Sequence, residues 1–136
     1  MTSKPITILV ADDDIEDTEL LEEAILNIEP EAQVNHVLNG KKAMEFLINC
    51  NDTELPCLII LDYNMPEMTG AEVLNWLSGQ SRFRLIPKVI FSTSKSETHV
   101  IQCMKNGATD YFVKPFDMKE LETLTQKMLS LCTTYN

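Results

Sequence analysis

No apolar run in the 136 residues approaches the roughly 20 that a membrane span needs. The N-terminal MTSKPITIL has no basic-plus-apolar leader pattern, so the expected location is the cytoplasm. Positive charge is scarce: 11 Lys and Arg stand against 21 Asp and Glu, for a formal net charge of −10 at pH 7. Such a surface repels nucleic-acid phosphates and anionic lipid, and points to a protein partner or a cation instead. Cys50, Cys57, Cys103 and Cys132 show no CxxC spacing, so reduced thiols are expected in place of zinc ligands or disulfides. Repeats, linkers and low-complexity segments are also missing. What remains is one domain, long enough to bury roughly two-thirds of its unfolded surface.

The stretch that organises the chain is LIILDYNMPEMTG, Leu58 to Gly70. Four apolar residues bounded by a turn read as a strand buried on both faces, as in a parallel sheet covered by helices. Ile6 to Ala11 and Lys88 to Phe91 are further buried strands, Gln33 to Leu38 alternates like an edge strand, and Asp110 to Val113 is a short fifth. Between them lie helical stripes: Leu21, Ala24, Ile25 and Ile28; Ala43, Phe46, Leu47 and Cys50; Val73, Leu74 and Leu77; Val100, Ile101 and Met104; and finally Leu121, Leu124, Met128 and Leu131. Asp14 reads as a helix-start residue and Asp117 as a cap. The pattern is (βα)5, an α/β fold with a doubly wound, five-stranded parallel sheet.

The polar residues follow the strands. Asp12 and Asp13 come after the first, Asp62 after the third, Ser92 ends the fourth and Lys114 follows the fifth. Carboxyl ends of parallel strands share one edge, where open α/β sheets place their ligands. Taken alone, Asp62 is either a helix cap or a chemical group. In company it is harder to dismiss. Two carboxylates about 4 Å apart repel by about 4 kcal/mol at an effective dielectric near 20, so three acids on one rim call for a cation. Lys114 supplies one charge, and all-oxygen ligation suits Mg²⁺ or a similar divalent ion such as Mn²⁺.

VADDD (Val10 to Asp14), LDYNMPEMTG (Leu61 to Gly70), IFSTS (Ile90 to Ser94) and YFVKPF (Tyr111 to Phe116), in that order, resemble the receiver domains of two-component response regulators. The resemblance covers Ile6 to about Leu131, so residues 1–136 are expected to form one receiver domain with no effector domain. It implies the flavodoxin-like strand order 2-1-3-4-5. It also implies a role for each residue. Asp62 is the phosphoacceptor, and Asp12 and Asp13 are the acidic pair at the metal, with Asp62 and the Asn64 backbone carbonyl completing its shell. Ser92 and Lys114 bind the phosphate, and Ser92 with Tyr111 forms the switch. Asn64, Thr93 and Ser94 flank the site as modulators of phosphoryl lifetime. By the same analogy Lys114–Pro115 is expected to be cis.

The implied function is a phosphorylation-dependent signalling switch. A sensor histidine kinase or phosphotransfer protein donates the phosphoryl group to Asp62. The face of the fourth helix, fifth strand and fifth helix changes, and downstream proteins read it. That face is also where a homodimer contact is expected. The domain would assist its own phosphorylation and dephosphorylation without being a conventional enzyme. Asn49 to Pro56 and Gly79 to Pro87 are somewhat long, a feature similar to stand-alone receivers paired with phytochrome-like or other sensor kinases. Two rivals stay open at this point: a pure interaction module on the same fold, and a phosphatase of the haloacid dehalogenase type. The latter places DxD after the first strand, where this chain has DDD. His36 and His99 lack metal spacing and read as surface or edge residues, and Trp76 as packing.

Overall fold

The computed structural model describes residues 5–132. Strands and helices alternate: β1 (Thr7–Ala11), α1 (Ile15–Ile28), β2 (Gln33–Val37), α2 (Gly40–Asn49), β3 (Leu58–Leu61), α3 (Gly70–Ser78), β4 (Lys88–Ser92), α4 (Glu97–Lys105), β5 (Asp110–Val113) and α5 (Met118–Ser130). The five strands are all parallel, in the order β2-β1-β3-β4-β5. This is the flavodoxin-like α/β arrangement expected from the sequence.

The strand period of two sorts the core. Leu9, Ala11, Ile59, Leu61 and Ile90 point to one side, where Ala43 and Leu47 of α2, four residues of α3 and Cys103 of α4 cover them. Ile8, Val10, Leu58, Ile60, Val89 and Phe91 point to the other, under α1 and α5. Each fully buried aliphatic side chain contributes about 1.5–3 kcal/mol, so the three central strands need apolar residues on both faces. That is why their sequences run without alternation. β2, at the edge, is nowhere fully buried, and the alternation expected of it is not seen: its valines divide between the two faces, Val34 on the α1–α5 side and Val37 on the other.

Each of the five α-helices among the described residues begins on a side-chain cap. Asp14, Asn39, Thr69, Ser96 and Asp117 each accept from the backbone N–H three residues on, and Glu72 closes a capping box with Thr69. The Asp14 and Asp117 assignments from sequence hold. α4 ends at Asn106, followed by Gly107 at φ 101°, a left-handed position that suits glycine. The two longer connections each contain a 3-10 turn, Asp52–Glu54 and Ser81–Phe83. Arg82 ties them together, donating to Asp52 Oδ1 at 2.9 Å and to the Cys50 carbonyl at 2.6 Å.

Two expectations are corrected. Cys57, just before β3, and Cys132, just after α5, form a disulfide across 75 residues of sequence, with Cα atoms 5.1 Å apart. Laying α5 across the central strands brings them within bridging distance, which no local spacing could reveal. Cys50 and Cys103 are free, as expected. The Lys114–Pro115 peptide is trans, as is every peptide bond among the described residues. The X–Pro amide itself favours trans by about 0.5–1 kcal/mol, and Lys114 reaches the acids with that geometry.

Candidate functional site

The carboxyl edge of the sheet gathers the acids. The Asp12 N–H donates to the Val37 carbonyl at 3.1 Å and the Asp62 N–H to the Ala11 carbonyl at 2.9 Å, so sheet bonding continues one residue past β1 and β3. This holds both acids just inside the rim, at 4% and 8% exposure. Asp13 projects outward and is exposed. Carboxylate oxygens of Asp12, Asp13 and Asp62 lie within 4.8 Å of one another, a spacing that a single divalent cation can bridge. Asp62 Oδ1 is buried and has no hydrogen-bond partner among the described residues. A buried carboxylate oxygen without a donor costs free energy unless something positive comes to it. The donor set is all oxygen, and that unmatched atom fits a hard cation.

Lys114 enters from the end of β5, its N–H donating to the Ser92 carbonyl at 2.8 Å. Its ammonium Nζ lies 2.7 Å from Asp12 Oδ2, 2.9 Å from Asp17 Oδ2 and 3.5 Å from Asp62 Oδ2. Desolvation alone would lower the lysine pKa, yet the bonds to Asp12 and Asp17 and the charge of Asp62 outweigh it and raise it. Burial lifts the Asp12 carboxyl to about 6 against the pull of Lys114 and of the Asp14 N–H, with the charge of Asp62 adding to the rise. The Asp12 carbonyl accepts from His36 Nε2 at 2.8 Å. A carbonyl only accepts, so Nε2 carries the proton.

Gly70 sets how closely α3 approaches. A Cβ there would stand 2.5 Å from the Asp62 carbonyl oxygen. Only glycine lets the first residue of α3 sit against the strand end, with its N–H donating to the Tyr63 carbonyl at 2.8 Å. Within the same loop Glu67 adopts φ 67°, the left-handed region that a side chain disfavours.

Ser92 is fully buried at the end of β4, its Oγ accepting from the Ser94 N–H at 3.2 Å. Tyr111 is half-buried against the α2–α3–α4 side of the core, and its hydroxyl donates to the Ser94 carbonyl at 2.8 Å. Asn64 and Thr93 are exposed. Ser94 does not stand open beside them: its hydroxyl pairs with His99 Nδ1 at 2.6 Å. His99, on the first turn of α4, stacks on Tyr63 with ring centroids 3.8 Å apart, and the Tyr63 hydroxyl donates to Gln102 at 2.7 Å. The structure thus brings Asp12, Asp13, Asp62 and Lys114 together. Ser92 lies on the adjoining strand, and Asn64, Thr93 and Ser94 lie on the loops after β3 and β4.

Asp17, His36 and His99 are the residues that sequence reasoning passed over as functional neighbours. For Asp17 a signal was present. Side chains on a helix lean toward its N-terminus, so an acid in the first turn of α1 points back over the rim. For the histidines nothing local distinguishes them.

Residues 8–126 match the response regulator receiver domain family. The two-component response regulator ARR8 of Arabidopsis thaliana is 31% identical over 143 residues, covering 94% of this chain and 63% of its own length. The chain therefore spans less than two-thirds of that relative. The phosphorylated cyanobacterial phytochrome response regulator RcpA has the same fold, with a TM-score of 0.87 at 25% identity over 98% of this chain and 97% of that one. The Mn²⁺-bound form of the response regulator Rcp1 has a TM-score of 0.79 at 29% identity, covering 93% of each chain. The family match runs from β1 into α5, and the chain belongs to the response regulator receiver domains of two-component signalling.

Proposed function

We propose that Asp62 accepts a phosphoryl group from a histidine of a sensor kinase or phosphotransfer protein. One observation carries this reading: Asp12, Asp13 and Asp62 converge on a shared centre while the buried Asp62 Oδ1 has no donor among the described residues. A carboxylate oxygen is itself the nucleophile and needs no general base. Its oxygen attacks phosphorus as the P–N bond to the donor imidazole breaks, and the electron pair stays on nitrogen, which takes up a proton. Water attacking the same phosphorus restores the carboxylate and releases inorganic phosphate.

Asp12, Asp13 and Asp62, with the Asn64 backbone carbonyl, would hold Mg²⁺ or a similar divalent ion. Bound there, such an ion neutralises charge on the equatorial phosphoryl oxygens. Lys114 neutralises from the other side, and Ser92 donates to a phosphoryl oxygen. Drawing in the Ser92 hydroxyl displaces the loop that carries Ser94, whose carbonyl holds Tyr111 and whose hydroxyl holds His99. The change thereby reaches α4 and β5. Partner proteins meet a face where α4 leaves Ile101 and Met104 exposed and the β5–α5 loop leaves Phe116 almost wholly in solvent. A shift between states needs only a few kcal/mol of differential stabilisation.

Asp62→Asn should abolish labelling by phosphorylated kinase or by acetyl phosphate while circular dichroism and thermal unfolding stay close to wild type. Label retained on another residue of that variant would overturn the assignment.

A further inference from the structure

Lys114 is shared among three acids, and unevenly. Charge-assisted N–H···O bonds run at about 2.7–2.9 Å, so the contacts to Asp12 at 2.7 Å and Asp17 at 2.9 Å are full bonds. The contact to Asp62, at 3.5 Å, is at the outer limit. Asp62 is the least well served of the three, although its other oxygen lacks any partner among the described residues. Asp17 lies outside the trio able to share one cation. It reaches the lysine from the side of α1, on a backbone whose N–H is tied to the Asp14 cap at 3.0 Å. α1 is packed into the core through Leu21, Ala24 and Ile25, so the backbone that carries Asp17 stays in place if the lysine moves.

We propose that Asp17 is a positioning residue for phosphoryl transfer, holding Lys114 back from Asp62 until the phosphoryl group arrives. The inference rests on Asp62 being the phosphoacceptor. Phosphorylation replaces one carboxylate charge by a group of roughly −1.5 to −2 with three acceptor oxygens, which out-competes Asp17 for the ammonium. The Asp17 side chain is 35% exposed, so its grip is the weaker of the two full bonds, and Asp12 keeps the lysine nearby. Asp17 sets how much of the lysine's binding is left for the phosphorylated state.

The test uses beryllofluoride, which mimics a phosphoryl group on a carboxylate, titrated calorimetrically into the full chain at saturating Mg²⁺. Asp17→Asn keeps the side-chain shape, removes the competing charge, and should tighten binding about fivefold, the size expected of a part-exposed ion pair. Glu16→Gln removes an exposed charge from the same helical turn without touching Lys114 and should leave affinity nearly unchanged. Mere loosening of the site would weaken binding, so tightening separates positioning from a structural role. Unchanged or weaker binding in Asp17→Asn, or an equal gain in Glu16→Gln, would overturn the proposal. Asp62→Asn keeps the two readings apart. If that variant binds beryllofluoride like wild type, the phosphoacceptor assignment itself fails. If only the Asp17 arm fails, Asp62 stands and the holdback does not.

Discussion

Two lysines, one buried and one half-buried, mark opposite ends of the sheet, and they behave in opposite ways. Lys88 starts β4 at 8% exposure, and its Nζ donates to the Phe83 carbonyl at 2.6 Å and more distantly to that of Arg84 at 3.5 Å. Lys114 follows β5 with a side chain that is also 8% exposed, among three carboxylates. Burial lowers the pKa of Lys88, whereas acidic company raises that of Lys114 against the same desolvation. Carbonyl dipoles satisfy an ammonium's protons without balancing its charge; carboxylates do both. Lys88 is therefore a clasp on the 3-10 turn Ser81–Phe83, whereas Lys114 is an ammonium whose charge is balanced by carboxylates at the carboxyl edge of the sheet. Burial alone does not distinguish structure from chemistry. The partners do.

The contrast can be broken most directly by methionine substitution, which keeps length and removes charge. Lys114→Met should slow phosphorylation by acetyl phosphate on the order of a hundredfold, the scale of losing one transition-state donor. Lys88→Met should leave that rate essentially unchanged, and comparable slowing in both variants would erase the distinction. Lys88→Met should instead lower stability by about 1–3 kcal/mol in urea unfolding, because the buried Phe83 carbonyl loses its donor.

A smaller effect sharpens the comparison through pH. Lys88 has a lowered pKa, so below the ordinary 10.5 the folded chain binds fewer protons there than the unfolded one, and rising pH stabilises the fold through this group. Lys114 has a raised pKa, so its contribution is complete below 10.5 and is lost as pH climbs through the folded value. Approaching pH 10 from neutrality, wild type should gain stability relative to Lys88→Met. Relative to Lys114→Met it should lose stability only at still higher pH. Parallel curves for the two variants would mean that the environments are not opposed.

Much of this was legible in the chain because it is local. Apolar runs of four residues in β1 and β3 and of three in β4 announce strands buried on two faces, and the acids directly after β1 and β3 must share an edge once the strands are parallel. Asp14 and Asp117 declare themselves by standing just ahead of helical stripes. What escaped depends on how distant helices and strands lie against one another. The Asp17–Lys114 contact spans 97 residues, and the Cys57–Cys132 bridge 75. Tyr63 and His99 meet only because the first turn of α4 lies against the loop after β3. No periodicity encodes such meetings.

The stack of His99 on Tyr63 also makes the domain its own gauge. An imidazole lying face to face with a phenol, with centroids 3.8 Å apart, sits in the shielding cone of that ring. With only two histidines in the chain, their carbon-bound protons give few, separable resonances in a proton spectrum. Any motion of the first turn of α4 away from the strand end would move the His99 signals downfield, so the position of that helix can be followed without attaching a dye or a label.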